Sequence, residues 1–178
     1  ANELVKIILE TKPQVMITYD EFGGYGHPDH IKAHRVAMYA TQLAAAPSFD
    51  SSLGQPWTIS KIYWTAFPRS VMAAGVAALR AAGEDTGFAA LDPDDLPFVC
   101  ADELVTTVIS APEMVTAKLA AMRAHATQIN TEEGFFALSN NIGGEVLASE
   151  FFRLVQGEVA GTRDDSGLET DLFAGLDL

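Results

Sequence analysis

Tyr25-Gly26-His27-Pro28-Asp29-His30 sets two imidazoles and a carboxylate within one short stretch, directly behind the apolar run Val15-Met16-Ile17-Thr18-Tyr19. A neutral imidazole is a good zinc ligand or proton carrier, and a neighbouring carboxylate or backbone carbonyl can fix its tautomer. Residues 20–26 read as a glycine turn. A helix then starts at Pro28, where proline is tolerated because its missing N–H would be unpaired anyway. In an open α/β sheet, ligands bind in the crevice beyond the carboxyl ends of the strands. A buried strand, a glycine turn and a helix mouth therefore present these side chains as a candidate site.

The helical spacing adds a third imidazole. His27, His30 and His34 follow in steps of three and four, which keeps them on one helix face. His30 and His34 have the HxxxH spacing of zincins, but Ile31 stands where those enzymes carry a general-base glutamate. A catalytic zinc needs three protein ligands and an open water position, and this stretch supplies one or two. Spacing alone leaves two readings open: a metal or proton site, or a helix mouth whose histidines only cap and pack. Lys32 and Arg35 beside His34 suggest that the helix turns toward solvent there.

The elements that must position these residues alternate along the chain. Helix is expected over 2–11, strand over 14–19 and helix over 28–45, ending before Pro47. A Ser/Pro/Gly loop leads to a strand over 60–67, then an Ala-rich helix over 70–82 and an acidic loop over 84–97. A strand over 103–110, a helix over 112–127 and a last helix over 144–155 complete the pattern. The tail carries Asp164, Asp165, Glu169 and Asp171 and reads as a solvated acidic surface. This is an α/β chain. Its 178 residues, 48% hydrophobic, suffice for one core, and a formal net charge of −13 argues against a nucleic-acid or anionic-membrane surface. No run approaches the ~18 apolar residues of a membrane span. A lone Cys100 suits a reducing, cytoplasmic setting. The first residues already read as helix without an initiator methionine, so the chain is expected to be the carboxyl-terminal part of a longer protein.

The segment Gly24-Tyr25-Gly26-His27-Pro28-Asp29-His30 behind an apolar strand resembles the second motif of the LmbE-like (PIG-L) zinc-dependent N-deacetylases. The likeness continues through Pro56-Trp57-Thr58, Lys61-Ile62-Tyr63-Trp64-Thr65, Ala124-His125-Ala126-Thr127-Gln128, Ala137-Leu138-Ser139-Asn140-Asn141 and Glu169-Thr170-Asp171-Leu172-Phe173-Ala174-Gly175-Leu176. These stretches resemble the mycothiol-biosynthesis branch of the family, which removes the acetyl group of N-acetylglucosaminyl-inositol. The related mycothiol S-conjugate amidases typically have proline where this chain has Gly26.

The resemblance implies a Rossmann-like fold, with residues 1–55 as the end of the deacetylase domain and 56–178 as a smaller α+β portion. It implies zinc as cofactor, with another divalent metal such as Fe2+ as an alternative. His30 would be the metal ligand, His27 the general acid and electrostatic stabiliser, and Tyr25 a donor to the developing oxyanion. Asp29 would orient a histidine. The family's remaining ligands and its general-base Asp lie in a His-Pro-Asp-Asp segment after its first strand. That segment is absent here: the other Pro-Asp, at Asp94, follows Asp92 rather than a histidine. The chain is thus expected to carry half a site, to be inactive alone, and to need the missing amino-terminal part as its partner. The alternatives are the conjugate amidase and a non-catalytic, metal-free domain that keeps the motif as a turn.

Amide hydrolysis explains why both halves matter. Zinc lowers the pKa of bound water to about 7, a carboxylate takes its proton, and donors must meet the oxyanion. The leaving amine then needs a proton, which suits an imidazolium such as His27. Asn140 is a candidate substrate contact through sugar hydroxyls, although paired asparagines also make turns and N-caps. Cys100 reads as a small core residue, His125 as a helix-end imidazole, and Trp57, Tyr63 and Trp64 as packing or a sugar platform.

Overall fold

The computed structural model describes residues 1–128, apart from 82, 84 and 86, and residues 148–177. Helix α1 (Asn2–Thr11) forms because Val5, Ile8 and Leu9 recur at helical spacing and bury one face. It stops where Lys12 turns left-handed (φ 48°) ahead of Pro13. Strand β1 (Val15–Thr18) follows, then the short turn α2 (Gly23–Gly26) and the long helix α3 (Pro28–Ala45). Ala46 is extended, as the residue before a proline should be, and α3 ends there. Strand β2 (Lys61–Ala66), helix α4 (Arg69–Ala81), strand β3 (Thr107–Ser110), helix α5 (Val115–Ala124) and strand β4 (Ser149–Gln156) complete the helices and strands among the described residues. Single 3-10 turns lie between them.

The strands form one mixed sheet in the order β1-β2-β4-β3. β1 and β2 are parallel, pairing Val15 with Lys61 through Thr18 with Trp64, while β4 runs antiparallel to both β2 and β3. The β1–β2 ladder crosses the boundary expected at residues 55 and 56. On one face, α1 and α3 pack over Ile59 and Ile62 with Val5, Ile8, Leu9, Ala40 and Ala44. Burying an aliphatic side chain of this kind contributes about 1.5–3 kcal/mol. A second cluster forms where Met72, Val76 and Leu79 of α4 meet Ala89, Phe67 and Phe98. Among the described residues no helix is long and apolar enough to cross a membrane.

Two expectations fail. The last helix was placed over 144–155, but residues 149–156 are a central strand. The run Phe151-Phe152-Arg153-Leu154-Val155 is apolar, aromatic and short, which a helical and a β pattern share. Pairing with two neighbouring strands decides it, with Phe152 opposite both Thr65 and Thr107. The expected helix over 112–127 is also shorter, because residues 112–114 are a 3-10 turn and α5 ends at Ala124.

The acidic tail is not wholly a solvated surface either. Glu169 has no exposed area and lies under the sheet face opposite α1 and α3. Lys61 Nζ donates to its Oε1 at 2.5 Å, and Tyr63 Oη and Thr107 Oγ1 donate to its Oε2 at 2.6 and 2.9 Å. The Ala160 N–H donates to Oε1 at 3.0 Å. The Glu169 backbone also bonds to Thr106 and Val108, so the tail runs as an added bridge beside β3. Burial pushes the Glu169 carboxyl up, but its donors outweigh burial and hold it below the ordinary value. Burial and the adjacent carboxylate push the Tyr63 phenol well above its ordinary range.

A carboxylate with a depressed folded pKa contributes stability that is complete above its unfolded value of about 4.3 and is lost as pH falls through the folded one. Glu169→Gln should therefore destabilise the protein at neutral pH by about 3–5 kcal/mol, the range for breaking a buried pair. The gap from the parent should narrow as the medium is acidified below pH ~4. Urea titrations at both pH values measure it, and equal stabilities at neutral pH would remove the buried pair from the account.

Candidate active site

The site is built by the turn between β1 and α3. Asp20 starts it: its carbonyl accepts the Gly23 N–H at 3.0 Å and its Oδ1 accepts the Gly24 N–H at 2.8 Å. Gly23 (φ 71°) must be glycine, since an added Cβ would lie 2.5 Å from Ile31 N and 2.8 Å from His30 Cβ. That close approach lets the Gly23 carbonyl reach His30 Nδ1 at 3.1 Å. Because a carbonyl only accepts, His30 carries its neutral-form proton on Nδ1 and leaves the Nε2 lone pair available. Tyr19, at the end of β1, stacks flat on the His30 ring with centroids 4.2 Å apart and planes 7° from parallel. His30 is thus held by a hydrogen bond on one ring edge and by an aromatic face.

His27 stands at the N-cap of α3 in an extended conformation (φ −67°, ψ 130°), ahead of Pro28 in the first turn. Its Nδ1 accepts the Asp29 N–H at 3.1 Å, so in the neutral ring the proton sits on Nε2. Capping and chemistry are compatible here, because the cap occupies only one ring nitrogen. The Asp29 carboxylate comes to 4.0 Å of His27 Nδ1 and is largely exposed, so the two meet by charge and not by a hydrogen bond. Tyr25 is 58% exposed. Its ring stands edge-on to His30 at 5.0 Å and to His27 at 6.1 Å, and the His27 and His30 rings are 5.1 Å apart. The structure therefore brings Tyr25, His27 and His30 into one cluster with Asp29 at its rim. Asn140 lies outside the described residues.

His34 is not turned to solvent as its charged neighbours suggested. It is half-buried, its Nδ1 bonds the Tyr19 carbonyl at 2.8 Å, and its ring stands edge-on to Trp64 at 4.9 Å. His34 thus fixes the backbone of the residue whose ring fixes His30. His125 is the C-cap of α5, its backbone N–H donating to the Met122 carbonyl. The half-buried Cys100 thiol is pushed up by burial, which keeps it protonated. Trp57 packs, donating Nε1–H to the Pro13 carbonyl at 2.8 Å. Sequence reasoning missed Tyr19, Asp20 and Gly23 as parts of the site. The available signal was Asp20 ahead of two glycines, a pattern for a side-chain-closed turn.

Among the described residues no three His, Cys, Asp or Glu side chains group to hold a metal ion. The fit to zinc can still be judged at one residue. A metal-binding imidazole usually donates its other N–H to a carbonyl or carboxylate, which is the state His30 has with Gly23.

No family model matches the chain. Curated relatives do, over nearly its whole length. The 1D-myo-inositol 2-acetamido-2-deoxy-alpha-D-glucopyranoside deacetylase of Nocardioides sp. is 59% identical over 178 residues, which cover 99% of this chain and 59% of that protein. The protein of the same name from Geodermatophilus obscurus is 56% identical over 97% of this chain and 58% of its own length. A numbered copy from Catenulispora acidiphila is 54% identical over 99% of this chain and 54% of its own length. Over nearly its whole length the chain is thus similar to proteins that carry this deacetylase name. It spans a little over half the length of these relatives.

His30→Ala should remove bound zinc from the full-length protein, whereas His34→Ala should keep it and loosen Tyr19. Metal analysis of the two purified variants decides this. Equal loss from both would assign a metal-binding role to His34 as well.

Proposed function

We propose that the protein containing this chain hydrolyses the N-acetyl group of N-acetylglucosaminyl-inositol, a step of mycothiol biosynthesis, and that His30 is one ligand of its zinc ion. The observation that carries the reading is the Gly23 carbonyl on His30 Nδ1, which leaves Nε2 as a fixed lone pair beside His27 and Tyr25. The parallel β1–β2 pair covered by α1 and α3 supports the Rossmann-like, LmbE-type fold, in which β2 of the 56–178 portion adds to the sheet begun by residues 1–55. The lone Cys100 suits a cytoplasmic enzyme. Fe2+ is the alternative metal for the same imidazole.

A bound zinc would supply Lewis acidity and an acidified water. The chain's own residues supply the proton donor and the oxyanion contact. His27 holds a proton at Nε2 in its neutral form and can gain a second at Nδ1 only by giving up the Asp29 N–H bond. It is the group placed to stabilise charge at the reacting amide and to protonate the leaving nitrogen. The Asp29 carboxylate lies 4.0 Å from His27 Nδ1 at the rim of the cluster. Tyr25 offers an exposed phenol beside both rings as an oxyanion donor. Asn140 remains the proposed contact to sugar hydroxyls.

The remaining ligands and the general base are assigned to the amino-terminal part of the protein. In support, β1 ends the sheet with no partner on its outer side among the described residues, and Ile17 on it is 48% exposed. Such an edge calls for a further strand.

Gly26 favours deacetylation over the conjugate-amidase alternative. Its φ is 89° and the Phe22 ring lies 2.9 Å from where a Cβ would be, so a proline fixed near −65° requires a rebuilt turn. Catalytic efficiency on the free N-acetyl substrate should therefore exceed that on mycothiol S-conjugates, and a clear preference for conjugates would reverse the assignment.

For the mechanism, His27→Ala should keep zinc and lose about 100-fold or more in kcat with KM nearly unchanged, the pattern of a transition-state contact. Tyr25→Phe should lose less. Steady-state kinetics on the full-length enzyme measure both, and a raised KM with intact kcat in the His27 variant would make it a binding group instead.

A further inference from the structure

A cavity of about 280 Å³ opens beside the carboxyl ends of β1 and β2, lined among others by Asp20, Glu21, Trp64, Thr65, Cys100 and Arg153. It lies on the side of the Asp20–Glu21 corner where Trp64 also meets His34. Trp64 Nε1 is buried, with no hydrogen-bond partner among the described residues. Arg153 lies with its guanidinium 5.5 Å from the Trp64 ring centroid, half-buried, with no hydrogen bond or ion pair among the described residues. Glu21 is likewise without one, and Asp20 uses a single oxygen, toward Gly24 N–H. Trp57, by contrast, has its indole N–H paired. The half-buried Arg153 guanidinium is the donor that lines the cavity, and a charged donor drawn partly out of water calls for an acceptor.

The chemistry of the lining selects the partner. Arg153 only donates, while the Asp20 and Glu21 carboxylates only accept. Two carboxylates against one guanidinium repel an anion such as phosphate, and an ammonium group would meet the carboxylates but set like charge against the guanidinium. Hydroxyl groups both donate and accept, so a ring carrying several of them satisfies both sides at once. The volume is near the roughly 300 Å³ lower end of small-molecule pockets, which suits a single ring. Stacking the guanidinium on Trp64 fixes it in plane and leaves its N–H fork for the ligand.

We propose that this cavity is a polyol subsite, in which Arg153, stacked on the Trp64 ring, and the Asp20–Glu21 carboxylates hold the hydroxyls of the cyclitol end of the substrate. The proposal rests on the functional reading above, since the loop that supplies Asp20 and Glu21 continues directly into the His27–His30 cluster. A ring held here is tethered to the reacting amide by the same loop.

The test uses the 15N-labelled full-length protein and myo-inositol alone as the probe. The Trp64 indole resonance, assigned with Trp64→Phe, should shift saturably while the Trp57 resonance stays in place. Arg153→Met should abolish the shift, and its loss in deacetylation should fall on KM, about tenfold or more, rather than on kcat. If Arg153→Met also disperses the Trp57 signal, Glu21→Gln, an exposed position, takes its place and should weaken the inositol response. A Trp64 shift with inorganic phosphate but not with inositol, no shift with either, or an inositol shift that survives both substitutions would overturn the subsite. Because myo-inositol has no amide, its binding is read independently of turnover. An inositol shift in a protein that fails to deacetylate would leave the subsite standing and remove the reaction assigned to it.

Discussion

A carboxylate with no exposed area sits under the middle of the sheet, and the smaller part of the molecule is organised around it. Glu169 receives Lys61 and Tyr63 from β2, Thr107 from β3 and the Ala160 N–H from the tail. Taking a carboxylate and an ammonium out of water is expensive, and only a full set of donors offsets that cost. The constraint therefore acts on position as much as on stability. β2, β3 and the tail can be buried together only in the one register that brings all four donors to two oxygens. The Glu169 backbone extends the same constraint, since its N–H and carbonyl bond Thr106 and Val108.

On the opposite face, β2 carries the other half of the arrangement. Alternate residues of a strand point to opposite faces, so Lys61 and Tyr63 meet the tail while Ile62 joins the α1–α3 core and Trp64 meets His34. His34 in turn bonds the Tyr19 carbonyl, and the Tyr19 ring stacks on His30. A strand locked from below by the Glu169 network thus supports the imidazole cluster from above. The turn itself adds the last constraint. Its glycines allow backbone to approach side chain closely enough for the Gly23 carbonyl to orient His30.

The chemical residues were legible because they are local. Tyr25, His27, Asp29 and His30 lie in one stretch, and the proline at the helix mouth announces how the stretch is folded. Helix α3 was readable over its full length, and β2 nearly so, because each has its own start and stop chemistry. The strand β4 was not, since Phe151 and Phe152 fit a buried helix face as well as a sheet. Asp20 and Gly23 belong to the same local turn, yet their roles depend on which atoms the turn brings against α3.

By itself, then, the sequence determined the turn, the helix mouth and the set of groups that can exchange protons or hold a metal, all of which follow from neighbours within a few residues. Only the tertiary structure decided that Glu169 is buried rather than solvated, that residues 149–156 are a strand, and that His34 faces Trp64 instead of water. The physical reason is common to all three. Each depends on a partner 30 or more residues away along the chain, Lys61 for Glu169, Thr107 for Phe152 and Trp64 for His34, and neither periodicity nor composition carries information about contacts closed over that separation.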